Sequence, residues 1–138
     1  MRFMMLMIPG GYEKAAPNTT PPPEAVAKMM KYNEQLAKAG VLISLDGLHP
    51  LSSGARVSYK GGNPTVTDGP YVETKEVLGG YWMINVKSKD EAIEWAKKIP
   101  ASDNETVEIR RVFEMDDFPQ DVKNAAGNYE EIQKNLKK

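Results

Sequence analysis

The chain has 138 residues, the size of one domain, and is long enough to bury a core without metal or disulfide support. It contains no cysteine, which excludes disulfides, thiolate metal sites, iron–sulfur ligation and a cysteine nucleophile, and fits a reducing, cytoplasmic setting. Eighteen Lys and Arg against 19 Asp and Glu leave a net charge of −1, so neither nucleic acid nor an anionic membrane is expected as a partner.

Residues 3–8 are continuously apolar and stop at Pro9-Gly10-Gly11. The run has no cleavage pattern of small residues and falls far short of the roughly 20 apolar residues that span a bilayer, so it reads as a buried first strand. Residues 12–22 are polar and proline-rich, a loop in which Thr20 can cap and Pro23 suits a first helical turn. A helix is predicted over 23–39, ended by Gly40, with Val26, Met29, Met30, Leu36 and Ala37 as its apolar stripe. A second apolar strand covers 41–45 and the chain turns at 46–50. Residues 55–60 alternate as a third strand, Gly61-Gly62-Asn63-Pro64 is a hairpin turn, and 65–67 return. Asp68-Gly69-Pro70-Tyr71 breaks that strand. The longest strand is predicted over 77–86, where Gly79-Gly80 marks a bulge or a close backbone approach. Ser88 and Glu91 form a capping box for a helix whose inner stripe is Ala92, Ile93, Ala96 and Ile99, ended by Pro100. The last strand is 106–113, and 118–138 reads as a polar, loosely attached helix weakened in its middle by Gly127.

Without the hairpin, this order is βαββαβ. The fold class expected is α+β, ferredoxin-like with an inserted hairpin, in which two helices cover one face of an antiparallel sheet. The strands are too apolar to leave the other face to water: Met4, Leu6, Ile8, Tyr81, Met83 and Val107 cannot all point to the helices. A second sheet from a second copy is the simplest cover, so a homodimer is expected. The domain is placed at 1–113, with 114–138 a polar, helical C-terminal extension.

Chemistry-bearing residues are densest at Asp68-Gly69-Pro70-Tyr71-Val72-Glu73-Thr74-Lys75-Glu76. By backbone logic alone this is a solvated turn. As a site, Asp68 or Glu73 would serve as a base and Lys75 as an anion partner. His49, the single histidine, has an intrinsic pKa of about 6.5 that suits proton transfer, and Asp46 is close enough in sequence to orient it. A turn histidine bonded to backbone fits equally. One guanidinium of Arg110-Arg111 should face a cavity and bind an anionic group, or else both are charges at the sheet edge. Tyr59, Tyr71, Tyr81 and Trp82 are the candidate walls. No carboxylate or histidine spacing builds a closed metal site, and no cofactor is expected.

The stretch DGPYVETKE, followed by Leu78-Gly79-Gly80-Tyr81-Trp82, resembles the signature of the DGPF branch of the YCII-related proteins, with Tyr71 where that branch has Phe. Gly47-Leu48-His49-Pro50 and Glu91-Ala92-Ile93-Glu94-Trp95-Ala96 match in order, so the resemblance covers residues 1–113. It implies a dimeric α+β barrel and no defined activity. Smaller relatives carry a His–Asp pair with the histidine on the first helix; this chain has none there, so that pair does not transfer. The reading is a small-molecule-binding or enzymatic dimer with a polar cleft near DGPYVETKE. His49 and Asp68 are its candidate catalytic residues, and Tyr71, Glu73, Lys75, Arg111 and Trp82 its ligand-binding ones. The alternative is a non-catalytic regulatory or interaction module.

Overall fold

The computed structural model describes residues 1–69 and 77–136. In chain order the elements are β1 (Arg2–Ile8), α1 (Pro23–Lys38), β2 (Leu42–Gly47), β3 (Ala55–Lys60), β4 (Asn63–Asp68), β5 (Gly80–Asn85), α2 (Lys89–Lys97), β6 (Thr106–Arg111), α3 (Gln120–Ala126) and α4 (Tyr129–Lys134). Four strands form one sheet in the order β2-β5-β1-β6, each pair antiparallel, and β3 and β4 form a separate hairpin. With the hairpin set aside, this is the ferredoxin-like α+β layout expected from the sequence.

Alternation along β1 decides where the core sits. Phe3, Met5 and Met7 are buried on the helix side together with Trp82 and Ile84 of β5. Leu36 and Tyr32 of α1, Ala92 of α2 and Ile99 just beyond it close the cluster. Met4, Leu6, Ile8, Tyr81 and Met83 alternate with these residues and face the other way, half-buried. Val107 does not join them, contrary to expectation. It pairs with Met7 and packs against the helix-side core, because the register puts Thr106, Glu108 and Arg110 on the open side instead.

Pro23 begins α1 as expected, but the cap is Pro22 and no side chain, Thr20 included, bonds to it. The apolar stripe also differs. Val26 and Met30 are exposed, and Tyr32, Asn33 and Leu36 take the buried positions, because only the C-terminal half of the helix reaches the sheet. Among the described residues Asn33 is the buried polar one. It accepts a hydrogen bond from the Trp82 indole N–H at 2.8 Å, while Tyr32 meets the same indole edge-on, with centroids 5.8 Å apart. The Tyr32 hydroxyl donates to the Trp95 carbonyl at 2.8 Å, and burial pushes its pKa up.

Ser88 caps α2 by accepting from the Glu91 N–H, while the Glu91 carboxylate reaches back to the N–H of Lys87. The hairpin turns through Gly61 and Gly62, both left-handed at φ 60° and 82°, as a two-residue turn between twisted strands requires. The glycine pair at the head of β5 marks a close approach, and the register shift lies in β2, between Leu42 and Ser44. The C-terminal extension is two helices, because Gly127, at φ 50°, breaks the single one expected.

Candidate functional site

One end of the sheet gathers the connections that carry the motif residues. The Leu48 N–H donates to Gly79 and the Gly79 N–H to Met7. The Tyr12 hydroxyl donates to the Leu48 carbonyl, and Ser52 and Ser53 donate to the carbonyls of Ala15 and Pro17. The Gly69 N–H donates to Gly54. The proline-rich loop, the 47–54 connection and the hairpin root are thereby tied together over Pro50, which is fully buried. Two glycines make this possible. A Cβ at Gly79 would stand 2.7 Å from the Pro9 ring, and one at Gly69 would overlap the Leu51 carbonyl oxygen.

Next to this cluster, on the open face of the sheet, Asp46, Tyr81, Leu6 and Glu108 lie side by side across β2, β5, β1 and β6. The Tyr81 hydroxyl donates to Asp46 Oδ2 at 2.8 Å. That bond is the main reason the phenol pKa stands above its ordinary value. Partial desolvation and the Asp46 charge add to it, and a hydrogen bond from Ser44 opposes it. The floor beside the pair is apolar: Leu6, Met4 and Met83. The arrangement offers a carboxylate acceptor, a phenol and a hydroxyl at the rim of an apolar surface.

The expected site residues are distributed unevenly around it. His49 is exposed in the connection after β2, and Asp46 is engaged with Tyr81. Asp68 is exposed at the hairpin root, opposite Ala55. Among the described residues no hydrogen bond or ion pair links His49 to Asp68. Trp82 is a core residue at 5% exposure, pointing to the helices, so it does not wall the open face. Arg111 turns to the extension and bonds Asp117 at 2.9 Å, while Arg110 bonds Glu108 at 3.3 Å. Tyr71, Glu73 and Lys75 lie outside the described residues. The Asp46–Tyr81 pair was missed because its members are 35 positions apart and meet only through the pairing of β2 with β5.

The extension is clasped rather than loose. Arg2 grips Glu114 with two bonds, Nε to Oε1 at 2.7 Å and Nη2 to Oε2 at 3.1 Å, and the Glu114 N–H donates to Asp117 at 2.8 Å. Phe113 stacks on Phe118 at 4.8 Å beside an apolar cavity of about 330 Å³ lined by Met115, Val122, Ala126 and Tyr129. The Arg2 bond holds the Glu114 carboxyl below its usual value. A carboxyl depressed on folding contributes stability above its unfolded pKa, about 4.3, and loses that contribution as pH falls through its folded value. Hydrogen exchange of α3 and α4 is therefore expected to accelerate relative to the sheet as pH drops below 4. Arg2→Gln should show that fast exchange already at neutral pH. Equal protection of the extension in both proteins at both pH values would refute the clasp.

A family model of the YCII-related domain matches residues 1–116. The chain belongs to the YCII-related family. The match runs past residue 113 and so takes in Glu114, the partner of Arg2. This YCII-related chain is also 37% identical over 62 residues to an uncharacterised protein of Rhizobium meliloti (strain 1021). That match covers 45% of this chain and spans half the length of the relative.

Proposed function

We propose that this YCII-related protein is a cytoplasmic homodimer that binds, and acts on, a small molecule at the open face of its sheet. The observation that carries the reading is the Tyr81–Asp46 hydrogen bond at the edge of the Leu6, Met4 and Met83 floor. An apolar surface with a few convergent polar groups is the usual composition of a ligand site. Asp46 spends one oxygen on Tyr81 and offers the other to a ligand N–H or O–H. His49, in the adjoining connection, is the candidate for proton transfer, and Asp68 at the hairpin root is the second candidate. Among the described residues no helix is long and apolar enough to cross a membrane.

The test is a thermal-shift screen of a metabolite library against the native protein, Asp46→Asn and Tyr81→Phe. Both residues lie on the open face with no core contacts to lose, so both variants should fold. Compounds that raise the native Tm should lose at least tenfold in affinity to Asp46→Asn. Compounds that bind all three proteins equally would move the site elsewhere, and a library that shifts none of them would favour the interaction module. That second reading has one specific support: Phe113 is 69% exposed beside the apolar cavity of the extension.

A further inference from the structure

Apart from the open face that the proposed dimer covers, two apolar surfaces stay exposed, at opposite ends of the sheet. The first is one side of the β3–β4 hairpin, whose root is tied to the connection that follows Gly47. Val57 stands opposite Val66 and Tyr59 opposite Pro64, so these four share a side, while Ser58 and Thr65 point the other way. Apolar-in, polar-out alternation belongs to a ribbon with one side covered, and an isolated two-stranded hairpin is marginal in water. Yet Tyr59 is 77% exposed, Val66 66% and Val57 50%. The second surface is the extension, where Phe113 and Val122 line the apolar cavity and both are exposed. It lies at the other end, where Val112 bonds to the Arg2 carbonyl and the Arg2 side chain grips Glu114.

We infer that these two surfaces meet across the dimer: Tyr59 of one copy's hairpin fills the apolar cavity of the other copy's extension, against the Phe113–Phe118 stack. The contact rests on the dimer proposed above and adds to its sheet-on-sheet interface.

Three observations favour a second copy over any other occupant. The first is placement. Arg2 alternates with Phe3 and so lies on the open side with Met4, which anchors the extension on the side that faces the second copy. When the strands of the two sheets run in opposite senses, a two-fold axis brings each hairpin end over the other chain's extension end, so both surfaces are covered twice and none is left over. The second is reach. Packed sheets lie about 10 Å apart, and a six-residue strand extends ~20 Å, so the hairpin spans the gap. The third is charge. Lys60 follows Tyr59 at the hairpin tip, and residues 113–126 carry four carboxylates against one lysine. Arg2 holds Glu114 and Arg111 holds Asp117, which leaves Asp121 and Asp116, the latter 3.8 Å from Lys123, to meet a cation beside the cavity.

The absence of cysteine allows a clean test by disulfide capture. Tyr59→Cys and Phe113→Cys proteins are mixed, allowed to exchange subunits and oxidised, with Lys28→Cys on the exposed side of α1 replacing Tyr59→Cys in the control pair. The expected result is a band at twice the 15.3 kDa chain mass, forming at least tenfold faster than in the control pair or in either protein alone. Val122→Cys should give the same band in place of Phe113→Cys, in case loss of the ring stack disturbs the extension. A mixture no faster than the control would overturn the contact. So would a Phe113→Cys protein that links to itself as fast as the mixture, because extension would then meet extension. A chain carrying both Tyr59→Cys and Phe113→Cys that closes its disulfide within itself would overturn it too. Sedimentation of the native protein separates the two ideas. A dimer without capture removes the hairpin contact and leaves the dimer, whereas a monomer removes both.

Discussion

Replacing Gly69 with alanine is expected to lower the melting temperature by about 10 °C or more. The new methyl would overlap the Leu51 carbonyl oxygen and stand 2.7 Å from its carbon. Both are backbone atoms of a single 3-10 turn, Leu51–Ser53, that Ser52 and Ser53 tie to the proline-rich loop. Neither side can yield by a rotamer change, so the hairpin root must move and the Gly69–Gly54 hydrogen bond is lost. Overpacking of this kind costs about 1–3 kcal/mol or more, and the bond adds about 1 kcal/mol. In a domain of this size each kcal/mol moves Tm by about 4 °C. Gly61→Ala is the control. Its site is open, and only a positive φ opposes the methyl, so a cost of about 1 kcal/mol is expected. Calorimetry that finds the two variants equally stable would show that the close approach at Gly69 does not hold the hairpin.

The second large effect is expected at Asn33. Asn33→Leu keeps the shape of the side chain but leaves the Trp82 indole N–H, now buried, without an acceptor. An orphaned buried donor costs about 1–3 kcal/mol. Trp82→Phe removes the donor at the price of a small void. In the double variant nothing polar is left unsatisfied, so the two losses should fall short of additive by about 1 kcal/mol or more. Additive losses in urea melts would mean that the hydrogen bond is dispensable and that Asn33 matters only for its volume.

These two positions also mark what the sequence makes legible. The apolar runs, Pro23, Gly40, the Gly61-Gly62 turn and the Ser88 cap are local signals, and they placed every strand of the sheet and both covering helices within a few residues. The resemblance in DGPYVETKE and its neighbours led to the family. What the sequence does not display is orientation. Tyr81 and Trp82 are adjacent aromatic residues, so one must face the helices and the other the open side, and composition does not say which. Met30 and Asn33 compete for the buried face of α1, and hydropathy favours the wrong one. The packing of Trp82 decides, because its indole needs an acceptor there. Arg2 and Glu114 are 112 positions apart, and no local pattern links them, which is why the extension read as loosely attached. For the candidate site, the sequence supplied the residue types and the loop. The Asp46–Tyr81 pairing came only with the strand order.

The double-sided apolarity of β1 leaves a further problem for the folding chain. Along Phe3, Met4, Met5, Leu6, Met7 and Ile8, a slip of one residue exchanges one apolar set for another, so polarity does not penalise it as it does in a strand with one wet face. The safeguard lies in the glycines at the head of β5. Gly79 leaves room only for hydrogen against Pro9, and a Cβ at Gly80 would stand 2.9 Å from the Asp46 carbonyl oxygen. A one-residue shift of β5 brings Leu78 to the Pro9 gap or Tyr81 to the Asp46 gap, where a side chain does not fit. The strand that carries no polar label is thus aligned by a steric stop at its end, and the same stop seats Tyr81 beside Asp46.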